Sequence, residues 1–391
     1  MVYLSLVNAR SENFEFDLVI LGGGASGLLV IDQLLDDPFF STWNILLIEK
    51  EEKVTDDRTW CYWEAGEGRF DQLLTCEWKK ALFKNEVEDK YFDLSPYTYK
   101  MLRSSAFYKR VYGRIRESSG VQVLYSEVMS VMDTSGGVEV QLSDRVIAAK
   151  KCLSSVRDLR FLKNIKKYPL LQQHFVGWFI EVRSPVFDEK CVTLMDFSVD
   201  QKGNTRFMYV LPVSKTEALV EYTLFSADLL EESEYEAEIM KYLDKAGITE
   251  YRIVEKEKGN IPMTAYPFHH KNSKNLMYIG TAGGWTKAST GYTFYNAMRK
   301  AKALKEFLKS SSDMRKFTNR TRFDLYDRIF LNVLFARNGL GQHLFSRMFI
   351  EGNPITMLKF LNNNTAIAEE FDIMAAMPTW LFLKNIIKPT S

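Results

Sequence analysis

The sequence has few of the residues from which metal sites and disulfide frameworks are built, with four cysteines and four histidines among 391 residues. No two cysteines have C-x-x-C spacing, and the histidines do not complete a ligand set. An excess of charge of one sign is also missing, since 51 lysines and arginines balance 50 aspartates and glutamates. We therefore expect no metal, no disulfide framework and no nucleic-acid partner.

Long apolar runs are missing as well. No stretch reaches the roughly 18 consecutive apolar residues of a membrane-spanning helix. The first ten residues lack the basic region and the apolar length of a secretory signal, so we expect a cytoplasmic protein. Aromatic residues, by contrast, make up 14% of the chain. Ordinary core packing explains that content, while the clustering of the aromatic residues suggests a long apolar pocket.

The most informative segment is an apolar run at residues 17–21 that leads into Gly22, Gly24 and Gly27, with G-x-G-x-x-G spacing. A helix-like stretch follows, and a second apolar run ends at Glu49. In a dinucleotide-binding β-α-β unit, these glycines permit the tight turn, the approach of the pyrophosphate and close helix packing. The terminal acid accepts hydrogen bonds from a ribose. Because the whole unit is present, the sequence predicts a dinucleotide site rather than an unliganded turn.

A second glycine-rich turn near residue 280 follows another buried strand, which makes the predicted dinucleotide domain discontinuous. Between the two turns, alternating apolar and polar residues predict antiparallel strands at 121–125 and 138–142, joined by a hairpin turn at 135–137. A further antiparallel sheet is predicted over 168–225. This arrangement is typical of two-domain FAD proteins and favours FAD over NAD.

The predicted fold class is α/β plus β, a two-domain FAD-dependent Rossmann-type fold. It has an inserted antiparallel β-sheet substrate domain and a helical C-terminal region. The predicted segments are 1–75, 96–165 and 270–312 for the FAD-binding domain, 76–95 and 166–269 for the substrate domain, and 313–391 for the helical region.

The second glycine turn departs from that of flavin hydroxylases, in which a Gly-Asp pair holds the ribityl chain. Here the pair is Gly280-Thr281. Thr281 can hydrogen-bond a ribityl hydroxyl but brings no charge, which argues against an oxygenase. Gly291 lies in a later turn before a predicted helix, and the N-terminus of that helix can face an isoalloxazine ring.

Several ordered motifs, taken together, resemble the flavin-dependent, bacterial type of the lycopene β-cyclase family. The resemblance begins near residue 15 and continues to the C-terminus. Its motifs lie at residues 22–27, 57–63, 173–178, 195–197, 209–212, 219–223, 261–264, 280–284 and 348–361.

The resemblance implies an isomerase (intramolecular lyase) that closes the ψ ends of lycopene, or a related acyclic carotenoid, into β-ionone rings. It implies β-carotene as the product, formed through γ-carotene, with no net redox change. Reduced FAD is the implied cofactor and NAD(P)H the implied reductant. A C40 hydrocarbon is insoluble in water, so we expect contact with a membrane surface, peripheral to the inner membrane.

The resemblance assigns the catalytic acid to Glu221, in the segment Leu-Val-Glu-Tyr-Thr. A carboxyl group desolvated among apolar neighbours has a raised pKa and can donate a proton at neutral pH. The strand pattern alone would favour an exposed glutamate, and the motif reverses that interpretation. Tyr222 follows, either as a proton relay or as a stacking residue.

Aromatic side chains near these motifs are candidates for the walls that stabilise a carbocation. The candidates are Trp60, Tyr62, Trp63, Tyr209, Tyr222, Trp285 and Tyr292. Ordinary core packing is the alternative for each of them. Arg58 either binds the flavin or is a solvated arginine.

Two other functions remain open at this stage. A redox flavoenzyme, such as an isoprenoid reductase or hydroxylase, would change the mass of its substrate. A non-catalytic flavin or carotenoid binder would be unaffected by loss of the Glu221 carboxyl group. The sequence leaves the ring type, the number of ends cyclised and the oligomeric state undecided.

Overall fold

The computed structural model describes residues 14–158, 162, 165, 167–318 and 321–378. Three sheets and a group of C-terminal helices make up these parts of the chain. Our division of the chain into domains stays a prediction.

The strands are β1 (Phe16–Leu21), β2 (Ile45–Glu49), β3 (Thr59–Ala65), β4 (Cys76–Trp78), β5 (Lys80–Lys84), β6 (Asp89–Asp93), β7 (Tyr97–Arg103), β8 (Val121–Tyr125), β9 (Val128–Asp133), β10 (Val138–Leu142), β11 (Val146–Ser154), β12 (Leu171–Val182), β13 (Cys191–Asp196), β14 (Thr205–Pro212), β15 (Glu217–Ser226), β16 (Tyr251–Met263) and β17 (Leu276–Tyr278). The α-helices are α1 (Ala25–Leu34), α2 (Ser104–Glu117), α3 (Glu232–Lys245), α4 (Phe294–Ser310), α5 (Arg322–Ala336), α6 (Gly341–Ser346), α7 (Pro354–Leu361) and α8 (Ile367–Ala376).

The first sheet has the strand order β8-β2-β1-β11-β10-β9, and β17 also pairs with β11. Strands β8, β2, β1, β11 and β17 run parallel. Residues 18–21 of β1 are fully buried because apolar clusters cover both faces of this sheet. Helices α1, α2 and α4 supply one of those clusters. This parallel arrangement collects the carboxyl ends of the strands at one edge, where the glycine turns lie.

The predicted hairpin between 121–125 and 138–142 is wrong. The turn at 135–137 joins β9 to β10, whereas β8 pairs in parallel with β2 at the opposite edge of the sheet. Both predicted strands exist with the predicted bounds. The error arose because the short, partly exposed strand β9 lacks a clear apolar alternation, with the sequence Val-Met-Ser-Val-Met-Asp.

The second sheet has the order β16-β12-β15-β14-β13-β5-β6 and is antiparallel except where β13 pairs with β5. Its strands include the antiparallel sheet predicted over 168–225. Helix α3 packs on one face, since Tyr235 and Ile239 contact the cluster that contains Val220 and Tyr222. The opposite face therefore presents the alternate residues of β15, including Glu221.

A third, three-stranded sheet has the order β3-β7-β4. The C-terminal helices pack on the second sheet through a shared core that includes Phe207, Phe225, Phe330 and Phe345. Within the described residues, no helix combines the length and the apolar character needed to cross a bilayer.

Candidate active site

The loop after β1 has the geometry of a pyrophosphate cradle. Gly22 has φ +99°, a value that favours glycine. A Cβ atom at Gly27 would lie 2.1 Å from the Gly22 carbonyl oxygen, so only glycine allows this close packing of helix and strand. A Cβ atom at Gly24 would meet no atom within 4 Å. The space above Gly24, at the N-terminus of α1, therefore fits the pyrophosphate of a dinucleotide.

Glu49, at the end of β2, braces the same loop. Its Oε2 accepts a hydrogen bond from the Gly23 N–H at 2.6 Å, and its Oε1 accepts one from the Lys50 N–H at 2.9 Å. Each carboxylate oxygen retains a lone pair. Glu49 can therefore hold the loop and still accept from a ribose hydroxyl, the role predicted for it.

The second glycine turn meets the first at the carboxyl edge of the sheet. Gly280 has φ +61°, and a Cβ atom there would lie 2.7 Å from the Ser26 Oγ in the first turn of α1. Thr281 follows directly, and its carbonyl oxygen accepts a hydrogen bond from the Gly284 N–H. Arg58 is exposed, and its backbone is hydrogen-bonded to Ser104 at the start of α2.

A cavity of about 130 Å³ lies among the second sheet, β3, β7 and the turn at Gly291. We call it the Glu221 cavity. Its lining residues are mostly aromatic and aliphatic, with two carboxylic acids among them. They include Thr59, Trp60, Cys61, Tyr99, Gln173, Phe175, Leu194, Met195, Phe207, Tyr209, Leu219, Glu221, Thr223, Phe225, Glu257, Ile261, Thr290, Gly291, Tyr292, Thr293 and Phe294.

Glu221 projects into this cavity from β15 and is 7% exposed. Burial raises its pKa to about 8, and the nearby carboxylate of Glu257 acts in the same direction. The Thr223 hydroxyl donates a hydrogen bond to Oε1 at 2.5 Å and opposes the shift. Glu221 therefore retains its proton at neutral pH, as expected of a general acid.

Glu257, on β16, was not predicted from the sequence. Burial raises its pKa to about 7, although the Thr59 hydroxyl, which donates to Oε2 at 2.6 Å, and the charge of Arg103 oppose the rise. Gly177 on β12 pairs with Glu221 on one side and with Glu257 on the other. The run of alternating charges at 255–258 looks like a solvated strand, which concealed this residue. Gly177, in a strand rich in large residues, was the available signal.

Three of the predicted aromatic residues, Trp60, Tyr209 and Tyr292, line the Glu221 cavity. Trp60 stacks on Phe294 with ring centroids 4.7 Å apart. Tyr209 is the cross-strand neighbour of Glu221, and its hydroxyl is hydrogen-bonded to that of Tyr99. The structure thus brings these rings together with the acid.

The other predicted aromatic residues lie elsewhere. Tyr62 and Trp63 line a small adjoining cavity, which they share with Tyr292. Tyr222 lies on the opposite face of β15, where it packs near α3 and accepts a hydrogen bond from Arg206. Trp285 lines a separate cavity of about 330 Å³. Neighbouring residues on a strand point to opposite faces, so Tyr222 is directed away from the Glu221 cavity.

The loop that carries Gly291 is anchored to the C-terminal helices. The Lys287 ammonium group is buried and donates to Asp327 at 3.0 Å and to Asn363 at 2.8 Å. The Ser289 hydroxyl donates to Asp327 at 2.7 Å. Gly291 has φ +76°, and a Cβ atom there would lie 1.8 Å from the Gln173 Oε1. The loop is therefore fixed against both α5 and β12.

Comparison with solved structures confirms the predicted fold class. A flavin-dependent brominase has a TM-score of 0.64 at 13% identity, covering 95% of this chain and 100% of that chain. A geranylgeranyl bacteriochlorophyll reductase-like protein from Thermoplasma acidophilum has a TM-score of 0.61 at 12% identity, covering 94% and 98%. At these identities the likeness is one of fold.

Comparison with sequences identifies the family. The chloroplastic lycopene beta cyclase of Nicotiana tabacum is 24% identical over 333 residues, covering 78% of this chain and 63% of that protein. The chain thus spans less than two thirds of the length of this plant relative. The model of the family described as lycopene cyclase protein matches residues 17–385. Because that match covers nearly the whole sequence, the chain belongs to the lycopene cyclase family.

Proposed function

We propose that this protein is a lycopene β-cyclase, an isomerase (intramolecular lyase) that closes ψ ends of an acyclic carotenoid into β rings. Lycopene is the proposed substrate, and β-carotene, formed through γ-carotene, is the proposed product. The supporting observation is the buried carboxyl group of Glu221, whose pKa is raised by burial, in a cavity with aromatic walls. A reaction that begins with protonation and passes through a carbocation requires both features.

In the proposed reaction, Glu221 donates its proton to C2 of the terminal double bond and leaves a tertiary cation at C1. The electrons of the C5–C6 double bond attack C1, and loss of the C6 proton gives the β ring. Bonds are rearranged, but no atom or electron is gained or lost. Trp60, Tyr209 and Tyr292 line the cavity in which the cation would form, and aromatic rings stabilise a nearby positive charge. Burial raises the pKa of both tyrosines, so their hydroxyls remain protonated.

FAD is the proposed cofactor, and the residues present fit it. Gly22, Gly24 and Gly27 would hold its pyrophosphate, with Glu49 at the adenosine ribose. Gly280, Thr281 and Gly291 would hold its ribityl chain and ring. When bound in its reduced form, FAD supplies an electron-rich ring that favours a nearby cation. NAD(P)H is the proposed reductant, and it should be consumed in far less than stoichiometric amounts because ring closure involves no net redox change.

The test is pigment analysis of a bacterial host that accumulates lycopene. Wild type should replace lycopene with products of equal mass that absorb at shorter wavelengths. Glu221→Gln should fold, bind flavin and leave the lycopene unchanged, because an amide cannot supply the proton. Glu217→Gln, an exposed position at the start of the same strand, is the matched control and should behave as wild type.

Two results would overturn the proposal. One is unchanged lycopene in cells that contain soluble, flavin-loaded wild-type protein. The other is a product that differs in mass by two hydrogens or one oxygen, with stoichiometric use of NAD(P)H, which would establish a redox flavoenzyme instead.

A further inference from the structure

Two carboxylic acids face one cavity across a single glycine. Glu221 on β15 and Glu257 on β16 are not on adjacent strands, because β12 lies between them and places Gly177 opposite both. A Cβ atom at Gly177 would lie 3.3 Å from the Glu221 Cβ and 3.3 Å from the Glu257 Cγ. The Leu219 Cδ1 atom would lie at 2.9 Å, so the absence of a side chain at Gly177 lets Leu219, Glu221 and Glu257 approach one another on the cavity side of the sheet.

The two acids have different surroundings. Glu221 is buried among apolar and aromatic side chains and accepts a hydrogen bond from Thr223. Glu257 accepts a hydrogen bond from Thr59, whose hydroxyl in turn accepts one from Arg103 at 3.3 Å. The positive charge of Arg103, which donates to the Thr59 hydroxyl, favours the ionised form of Glu257. When the pair holds one proton, that proton therefore resides on Glu221.

We propose that Glu257 is a second catalytic residue, the base that accepts the C6 proton in the last step of ring closure. The inference rests on the proposed function. The Glu221 O–H bond breaks as the C2–H bond forms, the C1–C6 bond closes the ring, and the C6–H bond breaks as Glu257 becomes protonated. Return of this proton to Glu221 restores the starting state, and no external acid or base is consumed.

This assignment predicts the pH dependence of the reaction. Turnover requires a protonated Glu221 and an ionised Glu257, so kcat should fall both at low and at high pH. The other charged groups near Glu257 are Arg58, Arg103 and Glu255. The guanidinium groups of the two arginines do not titrate near neutral pH. The remaining titratable groups that face Glu221 are Cys61, Tyr99, Tyr209 and Tyr292, all with pKa values raised by burial. These four groups stay neutral across the range in which the two acids titrate.

The experiment compares Glu257→Gln with Glu255→Gln as purified, flavin-loaded proteins across the pH range. Glu255 lies on the same strand, is partly exposed and bonds to Arg103 at 2.6 Å. Glu257→Gln should bind flavin normally and slow ring closure by about 10²- to 10⁴-fold, the usual contribution of a general base. Its residual rate should no longer fall at low pH. Glu255→Gln should keep both limbs of the profile.

The ring type gives a second readout. With the base removed, the cation should lose protons from carbons other than C6, so the fraction of products that are not β rings should rise. Glu257→Asp should keep the low-pH limb at a reduced kcat, which covers the case in which the glutamine variant does not fold.

The outcomes separate the two proposals. Wild type that forms no rings overturns the proposed function itself. Wild type that forms rings, together with a Glu257→Gln variant that keeps the wild-type rate or the low-pH limb, overturns the role of Glu257 alone. Unchanged ring composition in a slowed variant would likewise assign the last proton to another base.

Discussion

At the scale of single residues, two glycines of the first loop have different physical tasks. A Cβ atom at Gly24 would occupy free space in an extended backbone, whereas one at Gly27 would collide with the Gly22 carbonyl oxygen at 2.1 Å. Glycine is thus required at position 24 by the ligand that binds above it. At position 27 glycine is required by the packing of the protein itself.

We expect Gly24→Val to abolish flavin binding and to leave the melting temperature of the flavin-free protein unchanged. The Cβ atom of the valine would meet no protein atom within 4 Å, while the side chain blocks the pyrophosphate. Gly27→Ala should instead lower the melting temperature of the flavin-free protein, because helix α1 must move away from β1. Absorbance spectra and thermal unfolding of both purified variants test this, and retained flavin absorbance in Gly24→Val would contradict it.

At the scale of elements, the strand alternation explains which site residues could be predicted. The motif at 219–223 identified Glu221, but a motif does not show which other residues lie on the same face of the sheet as Glu221. The sheet places Tyr222 on the face that packs near α3, whereas Glu257 lies on the face that lines the Glu221 cavity. Glu257 is 36 positions farther along the chain, so its approach depends on the order β16-β12-β15. Strand order is a long-range property that local patterns do not contain.

Regular elements with a strong local signal were predicted well. The β-α-β unit at the start and the two strands at 121–125 and 138–142 were all confirmed. The long strand β16 was missed because its alternating charges mimic a solvated segment. One face of such a strand becomes buried only where the edge of another sheet packs against it.

Helix α8 carries an exposed apolar stripe of Ile367, Phe371 and Met374, spaced four and three residues apart. We expect this stripe to contribute to the proposed membrane contact, since an apolar helix face inserts at the headgroup boundary. The double variant Ile367→Ser/Phe371→Ser should sediment less with lipid vesicles. It should also cyclise vesicle-borne substrate more slowly while keeping its rate in detergent. Equal sedimentation of variant and wild type would refute this role.

At the scale of the whole molecule, the buried acids affect stability as well as chemistry. The pKa of Glu221 rises from an ordinary 4.5 to about 8 on folding. Between these pH values the folded protein holds a proton that the unfolded chain releases. The free energy of unfolding must therefore decrease as the pH rises from about 4.5 through about 8, and Glu257 acts in the same direction.

We expect Glu221→Gln to reduce this loss, because an amide has no proton to release. Urea unfolding at a series of pH values should give a shallower decline for the variant than for wild type, with a gap on the order of a few kcal/mol at alkaline pH. Glu217→Gln should follow the wild-type curve. Parallel curves for Glu221→Gln and wild type would show that the pKa of Glu221 is not raised.

The size of the Glu221 cavity limits how much of the proposed, symmetric substrate can bind there at one time. About 130 Å³ accommodates a small part of a forty-carbon chain, so we expect one terminus of the proposed substrate to enter while the rest of the polyene extends beyond the cavity. The two termini of a molecule are then processed in separate visits. If both ends are cyclised, as we propose, the one-ringed carotenoid should leave the cavity and re-enter by its other end before the second ring forms. At low enzyme concentration this species should accumulate first and disappear later, and the delay would measure the time between the two binding events.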